Sequence, residues 1–388
     1  MHGEHNRATR ELLEAARAEL RDVGQAAFTM DAVARRAYYS PGAIYQRWPD
    51  RVSLLGDVGR EVLADLEGAL AGVGDAEASI SFALDDGRDL LGLASEILIA
   101  GHTSTDIRDV SLATWSALRT AMGRYLPPGM AWYLSIVGLG DAMLASIDIA
   151  APLPVGPRIR WMLDACDVEA MGLHVPRPGA LTQADVPAVP QPARSDPTTL
   201  ALIQAAQSLL AEQGAESLST RRVSAQAGVT TGAIYRRYDG KGALLADVLL
   251  VALAPDRYEW TWELVAALAS DDPYWAAADV MTAQLLAASR NEVEQRVLLQ
   301  IGVAARTDTA LRAQIQERVR VASEARCAMF DHLGKAGVIR ADIDPAVLAW
   351  GFQSEPVGLR AIIPLGIPVD EEAATLSMRA VLTAAAAR

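Results

Sequence analysis

Leucine and alanine recur along this chain at the three- and four-residue spacing of amphipathic helices, while alternating β-branched and polar residues are nearly absent. One stretch of the pattern occurs twice, because Leu12–Val58 aligns without a gap with Leu202–Val248 and shares sixteen of forty-seven residues. A period of 190 residues is far longer than the repeat of a solenoid. The pattern therefore predicts an all-α protein that arose by tandem duplication.

Each copy is predicted to contain an opening unit of three short helices and a longer helical body. A stretch with six prolines and no apolar period separates the copies, which predicts an extended linker. The predicted boundaries are 1–55 for the first opening unit, 56–175 for the first body, 176–197 for the linker, 198–245 for the second opening unit and 246–388 for the second body.

Charge is distributed unevenly over the chain, whose formal net charge is −13 at pH 7. Residues 31–51 carry four arginines and two aspartates, and residues 221–241 carry five basic residues and one aspartate. A polyanion orients an acidic protein with two basic patches, because it attracts only those patches. The distribution therefore favours a nucleic-acid partner despite the acidic total.

The second opening unit shows the caps and the turn of a helix-turn-helix (HTH). Gly214 is predicted to end the first helix in the left-handed conformation, and Ser219 to cap the second helix. Gly228 supplies the tight turn, and Thr230 is expected to cap a third helix over residues 231–238. Two helices joined by a short turn that contains glycine, with basic side chains on the second, describe an HTH unit.

The first opening unit keeps this pattern with other residues. Thr29 and Ser40 take the cap positions of the second and third helices. Pro41 stands at the first position of the third helix, where its missing N–H costs nothing. The chain is thus expected to carry two HTH units.

The third helices and the basic residues near them are the predicted DNA-contacting surface. Small leading residues let the helix approach the bases, tyrosine hydroxyls reach phosphates, and basic side chains neutralise phosphates or reach guanine edges. The alternative interpretation assigns the tyrosines to the core and the arginines to a solvated surface. The predicted residues are Thr29, Ser40, Pro41, Gly42, Tyr45, Gln46, Arg47 and Arg51 in the first unit, and Ser219, Arg221, Arg222, Thr230, Thr231, Gly232, Tyr235, Arg236, Arg237 and Lys241 in the second.

The segments 42–55 and 232–245 resemble the N-terminal unit of the tetracycline-repressor (TetR) family, whose pattern is G-x-h-Y-x-x-F/W/Y-x-x-K/R-x-x-L-L, with h an apolar residue. The resemblance covers the opening unit of each copy and not the bodies. It implies a connecting helix that starts near Arg51 and Lys241, a helical ligand-binding domain, and two last helices that form a four-helix dimer bundle. Members of the family are homodimers that bind palindromic operators and release DNA when a small molecule occupies the core.

A duplicated protein of this kind is expected to place both HTH units in one chain, so that a monomer acts as a pseudo-dimer. We expect a DNA-binding regulator, a repressor that reads an imperfect palindrome and is released by a small apolar or aromatic ligand. Its expected partners are a double-stranded DNA operator and a small-molecule effector, without a membrane, a cofactor or a metal, and its expected location is the cytoplasm. An enzyme is not expected, since the sequence contains no paired metal ligands, nucleophile motif or phosphate loop.

Two departures distinguish the first copy from the second. The first has Asp31 where the second has Arg221, so this position would repel phosphate. It also has Tyr38 where the second has Gly228, and a left-handed turn at Tyr38 costs roughly 1 kcal/mol. These departures leave open an alternative function, that of a degenerate protein which acts through protein contacts or ligand binding without binding an operator.

Aromatic residues concentrate in the second body, where Glu355 stands in an apolar helix beside Pro356. Apolar walls with a few polar groups are what a small-molecule pocket needs. Ordinary helix packing is the alternative interpretation of the same residues. The predicted ligand-binding residues are Trp115, Trp132, Trp260, Trp262, Trp275, Trp350, Phe352 and Glu355.

Overall fold

A computed structural model describes residues 2–151, 154–172, 196–215, 218–252, 263, 266–267, 270 and 273–386. Within these residues the chain is helical, and the one strand-like pairing is an isolated bridge between Ile339 and Ala386. The prediction of an all-α fold is therefore confirmed. No helix in this part of the chain is long and apolar enough to span a bilayer.

The first copy consists of three opening helices, a long connecting helix and a body. A π-helical turn at Phe82–Asp86 joins the fifth helix to the sixth. Its helices are α1 (His2–Ala27), α2 (Met30–Arg36), α3 (Pro41–Tyr45), α4 (Arg51–Ala71), α5 (Ala76–Ser81), α6 (Arg88–Gly101), α7 (Thr105–Met122), α8 (Pro128–Ala145) and α9 (Val155–Met171).

The second copy repeats this order. Of the linker predicted over 176–197, the structure describes only residues 196 and 197, and Pro197 begins the next helix. The described helices of this copy are α10 (Pro197–Gln213), α11 (Thr220–Gln226), α12 (Thr231–Tyr235), α13 (Lys241–Ala252), α14 (Pro273–Arg290), α15 (Glu292–Ala305), α16 (Thr309–Lys335), α17 (Pro345–Ile362) and α18 (Glu371–Ala385).

Side-chain caps form at the second helix of each HTH unit and not at the third. Thr29 Oγ1 accepts a hydrogen bond from the backbone N–H of Ala32 at 3.2 Å, and Ser219 caps α11 in the same way. Ser40 and Thr230 occupy the predicted cap positions of the third helices, but their side chains make no such bond. The N–H three residues further on donates instead to the main-chain carbonyl of the cap residue.

Gly214 ends α10, and Gly24 at the equivalent position interrupts α1 with a kink; both depart from the predicted geometry. Gly214 has φ 77° and ψ 173°, and Gly24 has φ 73° and ψ 170°, so φ is positive but ψ lies far from the left-handed helical value, in a region that essentially only glycine adopts. A Cβ at Gly214 would lie 3.1 Å from the side chain of Gln300, and a Cβ at Gly24 would lie 2.9 Å from the side chain of Arg306. The third helix of the second unit also ends earlier than predicted, at Tyr235, and the amide of Arg237 then donates to the carbonyl of Ile234, three residues before it.

The two bodies share one continuous apolar core. Helices α8 and α9 of the first body pack against α17 and α18 of the second. The backbones of α8 and α17 approach so closely that a Cβ at Gly140 would overlap the carbonyl of Ser354, and a Cβ at Gly358 would overlap that of Ile136. This is the bundle that the resemblance implied, and here a single chain supplies all four helices.

Candidate nucleic-acid interface and regulatory core

The structure places the leading end of the third helix at the surface of both HTH units. In the first unit Ser40, Pro41 and Gly42 are exposed. In the second unit the equivalent residues Thr230, Thr231 and Gly232 are exposed as well. Neither glycine faces a packed wall, since the nearest atom to an added Cβ belongs to the neighbouring cap side chain. Both helix ends are therefore open to a partner.

The tyrosine of each third helix lies at the same surface. Tyr45 is 51% exposed and Tyr235 is 62% exposed, whereas the preceding isoleucines are buried. Tyr235 Oη lies 3.3 Å from Thr220 Oγ1, a partner that the first unit lacks because it has Met30 there. The burial interpretation of these tyrosines is wrong, because both side chains are at least half exposed, and their contact with DNA stays a prediction.

Arg47 connects the third helix of the first unit to its first helix. Its Nε donates to Thr9 Oγ1 at 3.1 Å and its guanidinium donates to the carbonyl of Ala43 at 2.7 Å. Arg237 makes the equivalent bonds in the second unit, at 3.2 Å each. The structure thus gives both arginines an intramolecular role, and their contact with DNA stays a prediction.

Arg237 has an additional partner at the start of α10. Its guanidinium pairs with Asp196 at 3.0 Å, and this bond holds the pKa of Asp196 well below its usual range. The pair is largely exposed, so its contribution to stability is small. Contact with a phosphate would have to compete with this carboxylate.

Arg51 and Lys241 occupy equivalent positions at the start of the connecting helices. Arg51 donates to the carbonyl of Gln25, and Lys241 Nζ donates to the carbonyl of Ala215 at 2.7 Å. The acceptor residue directly follows Gly24 in the first unit and Gly214 in the second. The recurring basic residue therefore stabilises that junction in each unit, a role that the sequence pattern did not indicate.

The second helix presents different charges in the two units. Arg221 and Arg222 are exposed at the start of α11, where α2 has Asp31. Arg222 also donates to the side chain of Gln213. At the end of α2 the first unit instead presents Arg35, which is exposed and was not among the predicted residues. The only sequence signal for Arg35 is the basic excess of residues 31–51.

The residue that follows the tyrosine of each third helix also differs in charge between the two units. Gln46 and Arg236 directly follow the third helices and are both exposed, and the second unit again carries the positive charge. The two units thus combine one backbone geometry with different surface charge. Exposed small residues, a tyrosine and basic side chains around a helix-turn-helix define a class of DNA-binding protein.

Comparisons with known proteins agree with that class. Residues 12–58 and 202–248 each match the profile described as bacterial regulatory proteins, tetR family. The chain is therefore a TetR-like DNA-binding regulator with two fused copies. No curated protein matches the chain.

Among solved structures, the chain is similar to NalD, the secondary repressor of the MexAB-OprM multidrug efflux pump in Pseudomonas aeruginosa. The identity is 20%, and the match covers 49% of this chain and 96% of NalD with a TM-score of 0.38.

The first HTH unit is bonded to the second body through a buried ion pair. Glu96 accepts a hydrogen bond from the backbone N–H of Gln25 at 2.6 Å, and Arg306 pairs with the same carboxylate. Arg306 also donates to the carbonyl of Arg21 at 2.5 Å. A residue of the second copy therefore holds the end of the first helix of the first copy.

The second HTH unit lacks this cross-copy ion pair. Gln300, the equivalent of Glu96, accepts from the N–H of Ala215 at 3.0 Å without bringing a charge. The equivalent of Arg306 is His102, whose Nε2 lies 3.0 Å from the carbonyl of Ala361. Burial lowers the pKa of His102 to about 4, so this ring is neutral at pH 7. The two units are thus attached to the bodies in different ways.

Several predicted ligand-binding residues lie in the core between the bodies. Trp132 is buried in α8, and Trp350 of α17 donates to Asp141 of α8 at 2.9 Å. Asp141 also pairs with the buried Arg158 and accepts from Ser354. The indole of Trp350 is therefore part of a polar network between the copies, and its contact with a ligand stays a prediction.

The other predicted aromatic residues lie half-buried at the edge of this core. Arg119 stacks over Trp115 at 6.0 Å, and Arg379 stacks over Trp275 at 4.3 Å from the ring centroid. Phe352 stacks on Phe330 with ring centroids 5.7 Å apart. The remaining two predicted residues, Trp260 and Trp262, lie outside the described residues.

Glu355 and Tyr133 are buried in this core with polar atoms that make no hydrogen bond to any described residue. The atoms are Glu355 Oε1 and the hydroxyl of Tyr133. The Tyr133 hydroxyl lies 2.9 Å from the point where a Cβ at Gly351, one turn before Glu355, would stand. Burial raises the pKa of Glu355 to about 8, so its carboxyl is mostly protonated at pH 7.

The pH dependence of stability is expected to report on Glu355. Its folded-state pKa lies above the unfolded value of 4.5, so its contribution is present at low pH and is lost as the pH rises towards 8. Between pH 6.5 and pH 8 the free energy of unfolding should fall by roughly 1.5 kcal/mol. Below pH 6.5 the charging of His102 in the unfolded state opposes this trend.

Urea unfolding at these two pH values measures the effect. Glu355→Gln keeps the shape of the side chain without a titrating group, so its stability should change less over the same interval. An equal loss of stability in the variant and the natural protein would assign the pH dependence to another group.

Proposed function

We propose that this chain is a transcriptional repressor in which one molecule presents two unlike HTH units to one operator. The observation that carries the proposal is the difference in exposed charge at equivalent positions. The second unit has Arg221 and Arg236 where the first has Asp31 and Gln46. Units with unlike surfaces favour unlike sequences, so the operator is an imperfect palindrome with two different half-sites.

The arrangement of the bodies supports action as a single-chain pseudo-dimer. Helices α8, α9, α17 and α18 form one core between the copies, so the interface that a homodimer would need lies within the chain. The buried pair of Glu96 and Arg306 adds a second connection across the copies. One chain should therefore occupy one operator.

The units contribute to binding in different ways. Arginine side chains displace counterions from DNA, which makes their contribution to affinity fall with salt. The second unit, with the exposed Arg221 and Arg222 on its second helix and the exposed Arg236 just after its third, should supply most of the salt-dependent affinity. The first unit, with fewer exposed charges, should contribute more through shape and neutral contacts.

Operator selection from a random duplex library with the full-length protein tests this function. We expect one enriched sequence with two unlike half-sites and a mass of one chain per duplex in light scattering. Two chains per duplex, or a perfect palindrome, would contradict the proposal. Recovery of no enriched sequence would favour a protein without operator binding.

Exchanging one predicted base-contacting residue between the units should alter the sequence preference at one half-site at a time. Arg236→Gln should weaken binding by about 1–3 kcal/mol and relax the preference at the half-site of the second unit. Gln46→Arg, its matched counterpart, should change the preference at the other half-site only. Repeating the selection with each variant measures this outcome, and an unchanged preference in both would exclude the third helices as readers.

We also propose that a small apolar or aromatic ligand releases the protein from DNA. Support comes from the apolar core between the bodies and from the two polar atoms in it, of Tyr133 and Glu355, that lack a partner among the described residues. A ligand with one hydrogen-bonding group would satisfy them. Screening aromatic compounds for release of the selected duplex tests this step, and Glu355→Met should lose the response while it still binds DNA.

A further inference from the structure

Tyr38 forms the turn between α2 and α3 in a conformation that is unfavourable for a tyrosine. Its φ is 60°, in the left-handed region, where the second unit has Gly228 with φ 67°. The side chain is 97% exposed, more than any other large apolar side chain that the structure describes. Folding of the chain therefore gains neither backbone stability nor apolar burial from this residue.

The neighbouring Tyr39 has the structural role that Tyr38 lacks. Tyr39 packs against the core of the first HTH unit, and its hydroxyl donates to Glu11 Oε2 at 2.6 Å. The side chain of Tyr38, by contrast, makes no hydrogen bond or ion pair with any described residue. The packing of the unit accounts for Tyr39 and leaves Tyr38 to be explained by a contact outside the chain.

Arg35 lies beside Tyr38 at the end of α2. The backbone N–H of Tyr38 donates to the carbonyl of Arg35 at 3.1 Å, and the Arg35 side chain is exposed. The next residue, Arg36, is instead neutralised by Glu19 at 3.2 Å and by Asp22. The second unit has alanine at the position of Arg35, so this exposed cation belongs to the first unit alone.

We infer that the first HTH unit contacts the sugar-phosphate backbone of DNA through Tyr38 and Arg35, at the end of its second helix. The second unit has its exposed arginines at the start of that helix, Arg221 and Arg222. The inference rests on the proposed DNA-binding function and adds to it that the two units approach the duplex differently.

The chemistry of the surface fits a duplex backbone. The guanidinium of Arg35 and the hydroxyl of Tyr38 bond to phosphate oxygens, and the tyrosine ring packs on the sugar. Asp31 is exposed at the start of α2 and repels phosphate, so that end of the helix faces away from the duplex backbone. Tyr45 on α3 is also half-exposed, so a second tyrosine of this unit can reach the duplex backbone.

Binding of the full-length protein to a fluorescein-labelled mixed-sequence duplex of about 30 base pairs, three helical turns, tests this surface by anisotropy. Tyr38→Gly should raise the Tm, because it removes the strained backbone, and should weaken binding about tenfold. The salt dependence should stay the same for Tyr38→Gly. For Arg35→Ala the slope of log K against log salt should become shallower by about one unit.

Two control variants test whether the loss of an exposed tyrosine, or the relief of backbone strain, is enough to change DNA binding. Tyr125→Ala removes another exposed tyrosine, after α7, and should bind as the natural protein does. Asp148→Gly relaxes the other non-glycine residue that has a positive φ in the described part of the chain, and it should leave binding unchanged. If Tyr38→Gly binds normally while Arg221→Ala weakens binding, the inference is wrong and the proposed function stands. If the natural protein binds no duplex, both are wrong.

Discussion

Replacing Gly358 by alanine is expected to disrupt the core between the two bodies. A methyl group there would overlap the carbonyl of Ile136 in α8, and the reciprocal position, Gly140, faces the carbonyl of Ser354 in α17. Main-chain atoms inside two packed helices cannot move aside individually, so the helices would have to separate. We expect a loss of more than about 3 kcal/mol in the free energy of unfolding.

Urea unfolding followed by tryptophan fluorescence measures this loss. Gly302→Ala in α15 and Gly334→Ala in α16 are matched controls, because a Cβ at either position meets no atom within 4 Å. Each control should gain up to about 1 kcal/mol from the higher helix propensity of alanine. Stability of Gly358→Ala equal to that of the controls would show that the bodies do not depend on this close approach.

Replacing Arg306 by methionine is expected to destabilise the protein and, above all, its first HTH unit. The change leaves the Glu96 carboxylate buried without its cation, and breaking a buried pair from one side costs about 3–5 kcal/mol. The bond from Glu96 to the N–H of Gln25 stays, so the loss reports on the contacts that Arg306 makes across the copies, with Glu96 and with the carbonyl of Arg21. Hydrogen exchange should show the loss of protection within residues 12–58.

The double variant Glu96→Gln/Arg306→Met is the control for this prediction. Glutamine at position 96 still accepts the N–H of Gln25, as Gln300 does for Ala215 in the second unit, and no charge remains unpaired. Most of the lost stability should return, because replacing both partners of a buried pair is often neutral. A double variant as unstable as Arg306→Met alone would attribute the loss to packing around Arg306.

Comparison of the two copies correctly predicted the two HTH units and the left-handed turn at Tyr38. The residue stands where the other copy has Gly228, and the structure gives both a positive φ. The prediction succeeded because a turn between two short helices is set by nearby residues. The same local reasoning placed the caps Thr29 and Ser219 correctly.

The roles of the basic residues could not be predicted in this way. Arg47 and Arg237 resemble phosphate-binding residues in the sequence, yet each reaches a threonine 38 residues before it. Whether a guanidinium meets solvent or a hydroxyl depends on the distance between the first and third helices, which local periodicity does not contain. For the same reason Arg35 was missed, although it is more exposed than Arg47.

The sequence by itself determined the helical class, the duplication and the two HTH units, because each depends on short-range periodicity or on recurrence at a constant offset. Only the tertiary structure decided how the copies are joined. The pairs Glu96 with Arg306 and Asp141 with Trp350 are 210 and 209 residues apart. Such partners meet because the two helical bodies pack face to face. The two HTH units have similar sequence patterns, but this packing attaches each of them to the bodies through different contacts.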